Sequence, residues 1–127
     1  MIFKPGSIEL LQVALENFLS GHSMSIGEID VLISGLSGDI ENDQLLSGLT
    51  ANAFSQIPEL RFKHLCGEYC TSSSFGFWIG ASIIRKQQIP TGLQFNKVPA
   101  TFPVKNVLLM NQYMGRNYSF ILLKACE

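Results

Sequence analysis

Lys63, His64, Cys66, Glu68 and Cys70 fall within eight residues, in the stretch KHLCGEYC (63–70). A hydroxyl-rich run, TSSS (71–74), follows directly. These side chains include a cation, an acid, an imidazole and two thiols. Cys70 precedes a helix start, where a thiolate is stabilised, and His64 beside Lys63 could serve as its base. Nothing nearby supplies the third group that orients such a pair, so an inert thiol is the expectation. Cys66 and Cys70 with His64 fall short of a structural zinc site, which takes four ligands in paired spacing. Asp39, Glu41 and Asp43 alternate like a hard-cation loop. The closing glutamate of a calcium loop is missing, so a solvated acidic turn is expected there. His22 is expected in an exposed turn. No cofactor and no metal are expected.

The elements that would position these residues follow from patterning. Ser7 is an N-cap, with Glu9 in the first turn where the helix dipole favours an acid. Leu11, Ala14, Leu15 and Phe18 form a helical stripe, and Gly21 stops the helix. Ile29–Ile33 (IDVLI) reads as a buried strand and 34–43 as a Gly-rich loop. A weaker helix is expected over 42–55, ending before Pro58, and a short strand near 60–64. Thr71 can cap a third helix running to about Gln87. Phe75, Trp78, Ile79 and Ile83 share one face of it, and Phe77 and Ile84 lie on others, which predicts burial on most sides. Gly76, Gly80 and Ala81 would let neighbours come close. The runs 104–114 and 118–126, separated by Gly115, Arg116 and Asn117, predict an antiparallel hairpin. This order of elements describes one α/β layer domain over 1–127, a mixed sheet with helices on its faces.

Composition bounds the partners. Hydrophobic residues make up 46% of the 127 and charged residues 15%, against about 25% charged in ordinary domains. A surface so poor in charge suggests extensive contact with a partner. The net charge is −1, with no basic stripe, which argues against nucleic acid and anionic membrane. No apolar run approaches the roughly 20 residues of a membrane span. The N-terminus lacks a signal-peptide core. The odd count of three cysteines does not make a disulfide framework, so a cytoplasmic location is expected.

Order and spacing together resemble the C-terminal half of a β-ketoacyl-acyl-carrier-protein synthase, a condensing enzyme of the thiolase fold. The family carries an HGTGTxxND loop, a KSxxGH motif, a GAAG-type buried helix and a closing hairpin around GFGGTN. Here GLSGDIEND (35–43) stands at the first, KHLCGE (63–68) at the second, and TSSSFGFWIGASIIRKQQIP (71–90) at the third. NVLLMNQYMGRNYSFILLKA (106–125) stands at the hairpin. The resemblance implies half of a thiolase-like fold. In the family a cysteine of the other half attacks the acyl thioester, and two histidines of this half stabilise the enolate oxygen. Matched residue by residue, those histidines are Gly35 and Glu68. Gly35 has no side chain, and an ionised carboxylate cannot donate a hydrogen bond. Lys63 matches the family lysine. Lys63 and Glu68 are therefore remnant active-site positions, expected to pair across one short turn. In the hairpin motif, Arg116 and Tyr118 replace a glycine and the asparagine.

The resemblance implies a domain of fatty-acid or polyketide-type biosynthesis. It would be non-catalytic on its own, as a chain-length-factor-like subunit, in a homodimer or with a thiolase-fold partner subunit and an acyl carrier protein. The alternative is the C-terminal piece of an active synthase or acyltransferase whose nucleophile lies in a missing half. Only three residues precede Lys4, where the family half has a central strand. The sheet would therefore close without that strand, borrow one from a partner, or belong to a longer protein.

Overall fold

Ser7 accepts a hydrogen bond from the Leu10 amide at 3.2 Å and so starts the first helix as the sequence predicts. In the computed structural model, residues 2–67, 72–90 and 92–126 are described. The elements run β1 (Ile2–Phe3), α1 (Ile8–Ser20), β2 (Val31–Gly35), α2 (Ile40–Ala53), β3 (Glu59–Arg61), the single turn α3 (Lys63–Cys66), α4 (Ser73–Lys86), β4 (Asn106–Tyr113) and β5 (Asn117–Lys124). They form a mixed α/β domain closed by the antiparallel β4–β5 hairpin. None of the described helices is long and apolar enough to cross a membrane.

The five strands lie in the order β1-β5-β4-β2-β3. β2 runs parallel to both β3 and β4, with Leu32 opposite Leu108 and Ile33 opposite Leu60. β2 pairs directly with β4, so the sheet closes without a further central strand, the first of the three alternatives. The N-terminal strand lies at the sheet's margin, with Ile2 opposite Tyr118.

Both faces of the sheet are covered, which is why β2 and β4 read as continuous apolar runs. Leu32, Leu108 and Met110 meet Leu11, Leu15 and Leu19 of α1 and Leu46 and Leu49 of α2 on one face. Val31, Ile33, Val107 and Leu109 meet Ile79 and Ile83 of α4 on the other. Alternate residues of one strand thus belong to different cores, as the two-residue strand period dictates.

Three expectations are corrected. β2 begins at Val31, because Asp30 serves as a cap: its Oδ2 accepts the amides of Lys105 and Asn106, both at 2.9 Å. α2 begins at Ile40, because Asp39 accepts the Glu41 and Asn42 amides and starts the helix early. α4 is buried on one face only: Gly76, Ile79, Gly80 and Ile83 lie on the sheet, while Phe77 and Trp78 are 47% and 61% exposed. The Thr71 cap falls outside the described residues.

Gly80 explains how closely α4 sits. A Cβ there would lie 3.1 Å from Leu123 Cδ1 and 3.3 Å from both Ile33 Cδ1 and Val107 Cγ1. The bare backbone therefore fits against three side chains from three strands. Gly80→Val should lower stability by about 1–3 kcal/mol through overpacking, despite removing a helical glycine. Urea denaturation would read this as a lower midpoint with an unchanged slope. An unchanged or raised midpoint would contradict this seating of α4.

Candidate functional site at the strand C-termini

β2, β3 and β4 are parallel, so the loops that follow them meet at one end of the sheet. This is where α/β sheets commonly hold ligands. The meeting segments are 36–39, 62–67 and the hairpin turn 114–116, and one residue, through its side chain and its backbone carbonyl, ties them together. Gln112, fully buried, donates from Nε2 to the Gly35 carbonyl at 3.3 Å and to Asp43 Oδ1 at 3.0 Å. Its Oε1 accepts the Gly115 amide at 2.7 Å. Its backbone carbonyl accepts Lys63 Nζ at 2.6 Å.

Asp43 is the acceptor at the centre. Besides Gln112, it accepts the Ser37 amide at 2.8 Å, the Ser37 hydroxyl at 3.0 Å and the Gly38 amide at 2.8 Å. Only 8% of it is exposed. The expected solvated acidic turn is thus corrected: Asp39 and Glu41 face solvent, and Asp43 is a buried carboxylate holding a loop. A buried carboxylate needs such donors to offset its lost hydration.

Among the positions that sequence matching singles out, Gly35 and Lys63 come to this rim, and Glu68 lies outside the described residues. Gly35 packs flat on β4: a Cβ there would overlap Asn111 Oδ1 and come within 3.0 Å of Asn111 Cα. A histidine cannot occupy that position in this arrangement. Lys63 is 4% exposed, and its ammonium turns inward to the Gln112 carbonyl. His64 points to solvent. Cys66 Sγ donates to the neighbouring Gly67 carbonyl at 3.4 Å. Among the described residues, no group of three His, Cys, Asp or Glu side chains could hold a metal ion. Among the described residues Ser72 Oγ, which is buried, has no hydrogen-bond partner, so capping does not account for that hydroxyl. The described rim binds its own loops together and presents no assembled nucleophile and base.

The hairpin turn closes the rim. Met114 and Gly115 both adopt positive φ, 55° and 65°, as a tight primed turn requires. A Cβ at Gly115 would lie 3.1 Å from Asn42 Cα, so the turn rests on the start of α2.

A second polar cluster escaped sequence reasoning. Ser34 Oγ donates to Glu59 Oε2 at 2.7 Å, and Arg61 Nε donates to the same oxygen at 3.1 Å. The Arg61 guanidinium lies 3.2 Å over the Phe95 ring. Arg61 also borders a cleft of about 500 Å³ against Leu36, Ile40 and Ser47. The available signal was a Glu and an Arg two apart on a short strand, where they share a face.

The Tyr118 hydroxyl donates to the Gly115 carbonyl at 3.3 Å. Burial first, and the Asp43 carboxylate second, push its pKa up. The native state therefore keeps this proton at pH values where the unfolded chain releases it. The resulting stability is fully present below about pH 10 and is lost as pH rises from there through the raised native value. In thermal melts above about pH 10, wild type should lose stability more steeply than Tyr118→Phe. Parallel curves for the two proteins would contradict the assignment.

No protein-family model, curated protein or solved structure matches this chain.

Proposed function

We propose that the chain is a ketosynthase-like domain of fatty-acid or polyketide-type assembly that performs no condensation by itself. One observation carries the reading. The three segments that resemble the family's loop, lysine and hairpin motifs are up to 83 positions apart, counting from Gly35 to Tyr118, yet they converge on one rim. The parallel run of β2, β3 and β4 brings them there, as half of a thiolase-like fold requires. At that rim Gly35 offers no donor and Lys63 turns to a backbone carbonyl. An enolate oxygen needs donors already aimed at where its charge develops, and Gly35, at one of the two matched histidine positions, supplies none.

The exposed face of α4 supports a partner of the same fold. Ser74, Phe77, Trp78 and Arg85 fall on one side of the helix at intervals of three, four and seven. Phe77 and Trp78 give this face an exposed apolar surface that a partner could cover. A thiolase-fold partner or missing half seated there would cover them. The same surface serves the second reading, in which the chain completes an active synthase whose cysteine lies elsewhere.

Two measurements test this reading. With acyl- and malonyl-carrier proteins, the isolated chain should yield no ketoacyl product, and turnover above background would contradict the proposal. Trp78 is the only tryptophan, so its emission reports on α4 alone. Adding the N-terminal half of a ketosynthase should shift that emission to shorter wavelength. An unchanged spectrum at saturating partner would contradict the proposed surface.

A further inference from the structure

Three rings lead from the core to the surface beside α4. Phe62 is fully buried, and its ring centroid lies 6.3 Å from that of Phe75. Phe75 in turn lies 5.8 Å from Trp78. This row props the indole in place although Trp78 is largely exposed. A cleft of about 450 Å³ opens next to it, with α4 as one wall and Ile89 and Leu93 of the following segment on the other. That volume suits a small organic molecule.

The cleft is polarised along its length. Its helical wall is made by positions 75, 78, 79, 82, 83 and 86, one side of a helix at spacings of three and four. From 75 to 86 it follows the axis for about 16 Å, at 1.5 Å per residue. Phe75 and Trp78 stand at one end and Lys86 at the other, with Ile83 between. Lys86 is the one charged side chain among the lining residues, and no carboxylate lines the cleft. Its ammonium is exposed and has no ion pair among the described residues. The helix end beside it offers carbonyls, but those of Ile83 and Ile84 already accept the Gln87 amide and side chain, both at 2.7 Å.

We propose that this cleft binds an elongated aromatic carboxylate, with its ring against Phe75 and Trp78 and its anionic end at Lys86. Each end of the cleft selects one part of such a molecule. Packed rings favour a further ring, offset or edge-on, beyond what burial alone supplies. One ammonium balances one negative charge, which favours a carboxylate over a phosphate group carrying nearly two. The aliphatic stretch between the ends has no polar side chain to meet a compact polar ligand, so the connecting chain must be apolar. This inference does not rest on the proposed function, and its test uses the chain without a partner.

The probe is 6-phenylhexanoate, with 6-phenylhexanamide as its neutral counterpart. Each is titrated calorimetrically into the isolated chain while Trp78 emission is followed. The acid should bind one site per chain with a Kd of about 1 mM or tighter, and should change the emission of this sole tryptophan. The amide should bind about two- to fivefold more weakly, as loss of one solvent-accessible ion pair predicts. Lys86→Gln should remove that preference by weakening the acid alone. Ser82→Phe sets a ring into the middle of the cleft and should abolish binding of both probes with wild-type circular dichroism. If Ser82→Phe does not fold, Trp78→Ala at its exposed position should weaken both probes at least about twofold. Absence of saturable binding would overturn the proposal. So would equal affinity of wild type for acid and amide, a preference that survives Lys86→Gln, or full binding by the folded cleft variant.

Discussion

The buried carboxylate of Asp43 is the contact on which the rim depends. It sits in the first turn of α2 and accepts the Ser37 and Gly38 amides, the Ser37 hydroxyl and the Gln112 side chain. Without it, two backbone N–H groups of the loop after β2 lose their acceptor, and an unpaired buried group costs about 1–3 kcal/mol. Gln112 would also lose the partner that holds its amide against Gly35. Because Gln112 bonds the hairpin turn and Lys63 as well, the single carboxylate couples three loops from three strands. Charge-assisted bonds suit this work, being roughly twice as strong as neutral ones.

Close backbone approach supplies what this polar clasp needs. Gly35 lets β2 lie against Asn111, and Gly115 lets the turn rest on Asn42. On the opposite face Gly76 and Gly80 bring α4 down onto Leu109 and Leu123. Gly35 and Lys63 both serve packing at this rim, since Gly35 has no room for a side chain and Lys63 is tied to a carbonyl.

How much of this was legible in the sequence depended on the range of the interaction. Ser7, the α1 stripe and the β4–β5 hairpin follow from local patterns, and they stand where those patterns put them. Ile29 looked like strand because it is apolar, yet the neighbouring Asp30 caps residues some 75 positions away in sequence. Asp43 looked solvated because its neighbours Asp39 and Glu41 are. Its burial comes from Gln112, 69 residues away. The all-round apolarity of α4 suggested burial on most sides, but a chain of this size places only two layers of helix around one sheet. Direct pairing of β2 with β4 depends on which strand is available as neighbour, and no local pattern records that.

Hydrogen exchange at the Gly115 amide in Asp43→Ala tests the clasp most directly. The Gly115 amide donates to Gln112, which Asp43 holds, so the network links it to the carboxylate. Faster exchange is expected at Ser37, Gly38 and Gly115 together, with a stability loss of about 2–4 kcal/mol. The Glu41 amide, held by Asp39, should keep its local protection once the global loss is subtracted. Faster exchange at Ser37 and Gly38 with Gly115 unchanged would show that Asp43 serves its own loop alone, and would contradict a rim held by one carboxylate.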